Sequence, residues 1–171
     1  MDTWKLNQTE DYPKKKWKEL SDNCYMFMLI STPKMSPIGN CFFLKAEYRD
    51  VKLENIIIDK KGNIKLIDFG FCCCTAPDTR LKIFCGTPSY MCPEIVMKKE
   101  YFGPPTDIWA TGILTYALLC GQFPFKGVSD KDLYRRIARG LYEPPEHMSA
   151  QAKSFINKML QVDPAKRSTA H

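Results

Sequence analysis

Three segments in the second half of the chain have the hydrophobic spacing of helices. Residues 106–120 are apolar on nearly every side, which is typical of a helix buried on most of its surface, and Thr106 suits its N-cap. Residues 129–140 begin with Ser129, a preferred cap residue, and end at a glycine. Residues 149–161 carry one apolar stripe at helical spacing, formed by Ala152, Phe155, Ile156, Met159 and Leu160. We predict that all three helices pack in the core.

A β-rich pattern precedes these helices and predicts a hairpin. The runs NIIID at 55–59 and IKLID at 64–68 flank the turn KKGN, in which Gly62 suits a positive φ. Residues 69–94 have no clear period and contain several glycines and prolines. This predicts a loop of about 25 residues, which is long enough to indicate a function beyond connection.

The first part of the chain has a weaker pattern. The basic stretch YPKKKWKEL is compatible with a short helix, NCYMFMLI with a strand or a buried turn, and STPKMSPIGN with a loop. We therefore divide the chain into an atypical N-terminal segment at 1–47 and a more regular region at 48–171.

Composition and charge narrow the class of protein. The chain has 171 residues, of which 44% are hydrophobic and 26% charged, as expected for a soluble globular protein. Its net charge of +6 comes without a recognition motif, so we expect no nucleic-acid partner. No apolar run reaches the roughly 20 residues of a membrane span, and we expect no membrane partner.

The cysteines, together with the start of the chain, indicate the cellular compartment in which we expect the protein. The chain has eight cysteines, but its start lacks the apolar stretch of a signal peptide, so we expect a reducing, cytoplasmic or nuclear location with free thiols. No C-x-x-C pair occurs, and the two histidines do not form a paired-ligand pattern. We therefore predict no structural zinc site.

The stretch YRDVKLENIIIDKKGNIKLIDFG brings together the groups that phosphoryl transfer needs. This chemistry requires a carboxylate to orient the attacking hydroxyl, a cation at the transferred phosphate and oxygen ligands for magnesium. Asp50, Lys52, Asn55 and Asp68 are residues of those types. A loop followed by a hairpin is expected to place Asn55 and Asp68 at the same end of adjacent strands.

Five motifs in this order resemble those of eukaryotic protein kinases. YRDVKLEN and DFG resemble the catalytic and metal-binding loops, and CGTPSYMCPE resembles the end of the activation segment, with Cys92 where the family usually has Ala. TDIWATGILTYALLCGQFPF resembles the buried helix, and DPAKRST the late arginine motif. The details are most similar to the calcium/calmodulin-dependent and AMP-activated group, although Tyr48 in place of His is more typical of the cyclic-nucleotide-dependent group.

The resemblance implies a fold and cofactors. It predicts an α+β fold: a mainly α-helical, kinase-like large lobe with a short β-hairpin at the catalytic site, built as a partial kinase domain over 48–171 with an activation segment at 68–94. The implied cofactors are ATP and Mg2+. Asp50 would orient the substrate hydroxyl, Lys52 would contact the γ-phosphate, and Asn55 and Asp68 would bind the metal.

The resemblance also implies positioning roles. Thr87 would tie the substrate-binding loop to Asp50 and Lys52, a pattern of Ser/Thr kinases, and Lys52 itself marks Ser/Thr specificity. Further implied contacts are the ion pair between Glu94 and Arg167, the capping of the catalytic loop by Asp107, and an interaction of Glu54 with a basic residue of a peptide substrate.

The chain departs from the family pattern in three ways, one of which is the cysteine cluster at Cys72 to Cys74 with Cys85 and Cys92, whose role is left open. No G-x-G-x-x-G and no V-A-I-K-like strand occur, so we expect the small lobe to be absent and the chain to be inactive alone. Ile83 stands where related kinases often carry a phosphorylated Thr that pairs with Arg49. Two interpretations follow: a Ser/Thr protein kinase fragment, or a non-catalytic kinase-lobe scaffold or decoy that binds a partner protein. The oligomeric state is left open.

Overall fold

The computed structural model describes residues 46–58, 64–76 and 79–169. The strands are β1 (Ala46–Glu47), β2 (Ile56–Ile58), β3 (Ile64–Leu66) and β4 (Cys73–Cys74). The α-helices are α1 (Pro93–Val96), α2 (Gly103–Cys120), α3 (Asp130–Arg139) and α4 (Ala150–Met159). Short 3-10 turns span Leu53–Asn55, Pro88–Tyr90 and Pro164–Lys166. The described part is thus helical with small two-stranded sheets, consistent with a kinase-like fold.

Helix α2 forms the centre of the core. Its Trp109, Ile113 and Leu114 side chains are fully buried, and the Trp109 ring stacks on Phe125 at 5.6 Å between ring centroids. A Cβ atom at Gly112 would lie 2.8 Å from the Leu160 side chain, at the end of α4. A residue without a side chain is therefore needed where α2 and α4 approach each other.

The helix predictions hold for α3 and α4. The Ser129 and Ser149 side chains accept hydrogen bonds from backbone N–H groups three residues on, and Gly140 ends α3 in the left-handed conformation. The apolar stripe of α4 faces the core through Ile156 and Met159. Serine caps and the C-terminal glycine are local signals, which is why the sequence predicts these boundaries well.

The prediction that Thr106 caps α2 is wrong. The helix begins at Gly103, and Pro104 and Pro105 occupy its first turn, where the missing proline N–H groups have no intrahelical partner to lose. The Thr106 hydroxyl donates to the Gly103 carbonyl at 2.6 Å, inside the first turn. None of the helices in the described part of the chain has the length and apolar character needed to cross a membrane.

The predicted hairpin is present, as antiparallel β2 and β3. Ile56 pairs with Leu66, and the Ile67 N–H donates to the Asn55 carbonyl at 2.9 Å. Asn55 therefore lies opposite Ile67, and Asp68 follows one residue beyond the pair. The predicted turn at 60–63 lies outside the described residues, as do the interpretations of residues 1–45. Within the predicted loop at 69–94, β4 pairs with β1.

Candidate active site

Three of the four predicted chemical residues form one cluster on the loop before β2. The Lys52 ammonium lies 2.6 Å from Asp50 Oδ2. The Asn55 amide donates to the Asp50 carbonyl at 3.0 Å and to Asp50 Oδ2 at 2.9 Å. Asp50 is only 6% exposed, so its carboxylate is held in one orientation by a cation and an amide.

The loop that carries Asp50 is held in place from α2. Arg49 adopts a left-handed backbone conformation with φ 63°, which few residues with a side chain adopt. The Asp107 carboxylate accepts hydrogen bonds from the N–H groups of Tyr48 at 2.9 Å and Arg49 at 2.8 Å. This is the contact that the resemblance implied for Asp107, and it fixes the unusual turn directly before Asp50.

Replacing Asp107 with alanine should destabilise the protein by about 2–3 kcal/mol, because two backbone N–H groups lose their acceptor. Burial raises the pKa of the Asp107 carboxyl from 3.8 to about 6, against the lowering effect of its two N–H donors. In the unfolded chain the Asp107 carboxyl has its ordinary pKa of 3.8. Between pH 3.8 and about 6 the folded state therefore binds more protons than the unfolded state, and the free energy of unfolding falls as the pH rises.

The cost of Asp107→Ala should therefore be larger at pH 5 than at pH 7.5. Urea unfolding of both proteins at the two pH values measures it, with Asp130→Ala, at an exposed carboxylate in the first turn of α3, as the control. An equal cost at both pH values would contradict the assignment.

Asp68 is exposed and lies in the loop after β3. Its backbone φ is 62°, and its Oδ1 accepts from the Gly70 N–H at 3.1 Å. The neighbouring Phe69 ring packs edge-on against Tyr48, with 5.3 Å between ring centroids. The Asp68 carboxylate is thus held at the surface by a turn anchored to the catalytic loop.

Tyr48 connects the two loops and was missed as a positioning residue. Its hydroxyl donates to the Ile67 carbonyl, directly before Asp68. Burial raises the pKa of Tyr48 to about 12, with a smaller contribution from the nearby carboxylates of Asp50 and Asp68, so the phenol stays protonated and remains a donor. The sequence feature that could have indicated this role is Tyr48 itself, which stands where the motif usually has His.

The oxygen donors of Asn55 and Asp68 fit a magnesium ion. Mg2+ is bound in proteins through one or two carboxylates or amide oxygens together with substrate phosphates and water. Because Nδ2 of Asn55 points at Asp50, the amide oxygen is turned away from that carboxylate. In the described ranges there is no group of three or more His, Cys, Asp or Glu residues that could hold a metal ion.

The link that the resemblance implied for Thr87 stays a prediction. Thr87 and Asp50 line the same small cavity of about 30 Å³. Among the hydrogen bonds of the described residues, the Thr87 hydroxyl makes none to Asp50 or Lys52. The activation segment instead contacts the loop through Tyr90, whose hydroxyl accepts from the Leu53 N–H at 3.2 Å.

The Glu94–Arg167 pair anchors the end of the activation segment. The Arg167 guanidinium donates to the two carboxylate oxygens of Glu94 at 2.8 and 2.5 Å, and both side chains are buried. It also donates to the Pro105 carbonyl at 3.0 Å and lies over the Trp109 ring. The predicted pair is present, and it ties the segment to α2 and to the C-terminal turn.

Arg49 and Ile83 are the two positions that the resemblance associates with a phosphorylated activation segment. The Arg49 Nε donates to the Phe71 carbonyl at 2.8 Å, while its Nη1 is buried without a hydrogen-bond partner among the described residues. Ile83 is 60% exposed. As the sequence indicated, the side chain at position 83 offers no hydroxyl for phosphorylation, and its apolar surface is open to solvent.

Known proteins resemble most of this chain. The family model described as protein kinase domain matches residues 37–171. The probable serine/threonine-protein kinase MARK-A of Dictyostelium discoideum is 41% identical over 138 residues, covering 81% of this chain and 13% of that protein.

Two further relatives are also named as serine/threonine protein kinases. The serine/threonine protein kinase OSK3 of Oryza sativa subsp. indica is 42% identical over 135 residues, covering 79% of this chain and 27% of the relative. The probable serine/threonine-protein kinase HSL1 of Saccharomyces cerevisiae is 41% identical over 133 residues, covering 77% of this chain and 9% of the relative. The chain therefore spans only a minor part of the length of these relatives.

Proposed function

Because this chain belongs to the protein kinase family, we propose that its catalytic loop transfers the γ-phosphate of ATP to a serine or threonine hydroxyl of a protein substrate. The observation that carries this proposal is the cluster of Asp50, Lys52 and Asn55. A buried carboxylate held by an amide and a cation has the pre-organisation that phosphoryl transfer uses.

The residues of the cluster have separate roles in this proposal. Asp50 orients the substrate hydroxyl and accepts its proton late in the transfer. Lys52 turns from Asp50 toward the γ-phosphate and balances the charge that develops there. Asn55 and Asp68 hold Mg2+, which neutralises the phosphate oxygens when it is bound. Lys52, two residues after Asp50, supports Ser/Thr rather than Tyr specificity, as do the names of the relatives.

An apolar face beside the metal ligands supports nucleotide binding. In the hairpin, Ile56 and Leu66 point inward and pack against the core, whereas Ile57 and Ile67 are about 40% exposed on the opposite face, where exposed Lys65 pairs with Ile57. This face adjoins Asn55 and Asp68 in sequence and in register. We propose that the purine lies against Ile57 and Ile67 while its phosphates reach toward the metal site.

We further propose that the 171-residue chain has little activity by itself. No glycine-rich phosphate loop of the type G-x-G-x-x-G occurs in it. Positioning of the nucleotide supplies most of the rate enhancement in this chemistry. A site that holds the metal and the substrate hydroxyl but not the α- and β-phosphates should therefore turn over very slowly.

A phosphate-transfer assay on two polypeptides tests both proposals. The first is the 171-residue chain, and the second is the polypeptide isolated from its native cells with an antibody against residues 129–161. With radiolabelled ATP and Mg2+, we expect the native polypeptide to label Ser and Thr peptides over a Tyr peptide. We expect the short chain to stay near the background of its own Asp50→Asn variant.

The two proposals fail in different ways. Strong labelling by the short chain would overturn its proposed inactivity and leave the kinase proposal intact. Absence of labelling by either polypeptide, together with nucleotide-independent binding of a partner protein, would overturn the kinase proposal and favour the scaffold or decoy function.

A further inference from the structure

Helix α3 presents a group of cations to solvent, on the side opposite its buried residues. Leu133 and Ile137 are buried and belong to the core. Four exposed cations lie on the other side of the helix, within an arc of about 140° at about 100° per residue. We call them the α3 basic face: Lys131, Arg135, Arg136 and Arg139.

One carboxylate, that of Asp132, lies on the same side of the helix. It accepts from Arg135 Nη2 at 2.6 Å and from Arg136 Nε at 3.2 Å. The Asp132 side chain is 13% exposed, whereas the side chains of Arg135 and Arg136 are 64% and 57% exposed. The two guanidinium groups therefore cover the carboxylate, and each of them uses only one of its N–H donors in this contact.

The stability of the helix explains only some of these cations. Ion pairs between residues three and four apart stabilise a helix, and they account for Arg135 and Arg136. Arg139 in the last turn interacts favourably with the helix dipole, but Lys131 in the first turn does not. Among the described residues, neither Lys131 nor Arg139 forms an ion pair with a carboxylate. The two ends of the α3 basic face are thus charged groups without a counter-ion in this part of the chain.

The spacing of the cations fits carboxylates on an extended peptide. Lys131, Arg135 and Arg139 follow one another four residues apart, which places them about 6 Å apart along the helix axis. In an extended chain, alternate side chains point to the same side and are about 6.6–6.8 Å apart. Asp or Glu at every second position can therefore face the three cations in turn, and arginine pairs with a carboxylate through two parallel hydrogen bonds.

Other partners complement this surface less well. A helix that binds a membrane surface inserts its apolar side, whereas Leu133 and Ile137 of α3 are packed in the core. A nucleic acid is bound tightly through about six to ten phosphate contacts, which is more than the four cations here provide. A second copy of the same face would bring like charges together.

We propose that the α3 basic face is a docking surface for a partner protein, which presents an extended segment with Asp or Glu at alternate positions. The inference goes beyond the proposed phosphate transfer, because none of these residues belongs to the catalytic cluster. It applies to a kinase and to a non-catalytic scaffold alike.

Nuclear magnetic resonance titration of the 15N-labelled 171-residue chain tests the proposal. The probe is the nonapeptide GETETETEG, acetylated and amidated at its ends. The controls are GEEEETTTG, which has the same composition with contiguous acids, and GQTQTQTQG, which has no charge. We expect the probe to shift the Arg Nε–H signals of α3 with a dissociation constant of about 1 mM or below at low salt.

The two control peptides separate spacing from charge. The contiguous peptide should bind about threefold to fivefold more weakly, because it can place fewer carboxylates opposite the three cations. The neutral peptide should cause no saturable shift. The shifts caused by the probe should largely disappear at about 0.5 M salt, since the contacts are exposed to solvent.

Variants locate the binding site. Lys131→Gln and Arg139→Gln should each weaken probe binding about threefold to fivefold, because each removes one exposed ion pair with the peptide. Lys158→Gln is the matched control, since Lys158 is an exposed cation in the last turn of α4. Thermal melts by circular dichroism should show that all three variants remain folded.

Several outcomes would overturn the proposal. These are the absence of saturable shifts in α3, equal affinity for the alternating and contiguous peptides, or an equal loss of affinity in Lys158→Gln. Binding of a single-stranded DNA oligonucleotide, without binding of the probe, would assign the face to nucleic acid instead. Binding to vesicles of 70% phosphatidylcholine and 30% phosphatidylserine, again without binding of the probe, would assign it to anionic membranes.

Discussion

The Asp50→Asn variant of the active polypeptide should transfer phosphate about 100 to 10,000 times more slowly than the unchanged protein, which is the range that general acid–base groups contribute. Asparagine keeps the size of the side chain and still offers Asn55 an acceptor oxygen. It removes the charge that lies 2.6 Å from Lys52 and the group that orients the substrate hydroxyl. The loss should therefore appear in kcat.

Binding of a fluorescent ATP analogue separates this effect from a damaged site. Because Asp50 does not hold the metal in the proposed arrangement, the dissociation constant of the nucleotide should change little. Asp130→Asn, at an exposed position in the first turn of α3, controls for the loss of a carboxylate elsewhere. If Asp50→Asn retains more than a third of the activity, Asp50 does not have the proposed role.

The sequence was most informative where structure depends on local signals. The boundaries of α3 and α4 follow from serine caps and a terminal glycine, and the hairpin from two β-branched runs. The predicted start of α2 was wrong because the sequence Gly-Pro-Pro is typical of a loop. Proline is nevertheless compatible with the first turn of a helix, and α2 begins with these residues. Whether Gly-Pro-Pro forms a loop or a first helical turn depends on how the following residues pack against the core.

In the candidate active site, too, contacts within one loop could be predicted from the sequence, whereas contacts between loops could not. The spacing of Asp50, Lys52 and Asn55 lies within one loop, so a motif can predict that these residues meet. Which residue bridges two loops depends on tertiary distances that a motif does not encode. The hydrogen bond between Tyr90 and the Leu53 N–H was not predicted for this reason.

Breaking the Glu94–Arg167 pair should have a large effect on stability. We expect Glu94→Ala to lower the free energy of unfolding by about 3–5 kcal/mol, because it leaves the buried Arg167 guanidinium without its partner. Equilibrium unfolding in urea, at pH 7 and constant salt, measures this. The exposed pair of Lys82 and Glu100 provides the control: Glu100→Ala should cost at most about 1 kcal/mol.

A double-mutant cycle distinguishes the ion pair from packing in general. Arg167→Met alone should also be strongly destabilising, because Glu94 is then buried as an unpaired charge. The double variant Glu94→Ala with Arg167→Met should recover part of the loss, since neither charge remains buried without its partner. Additive losses in the cycle would mean that Arg167 stabilises the fold mainly through its contacts with Trp109 and with backbone carbonyls, and that the carboxylate of Glu94 does not anchor the activation segment.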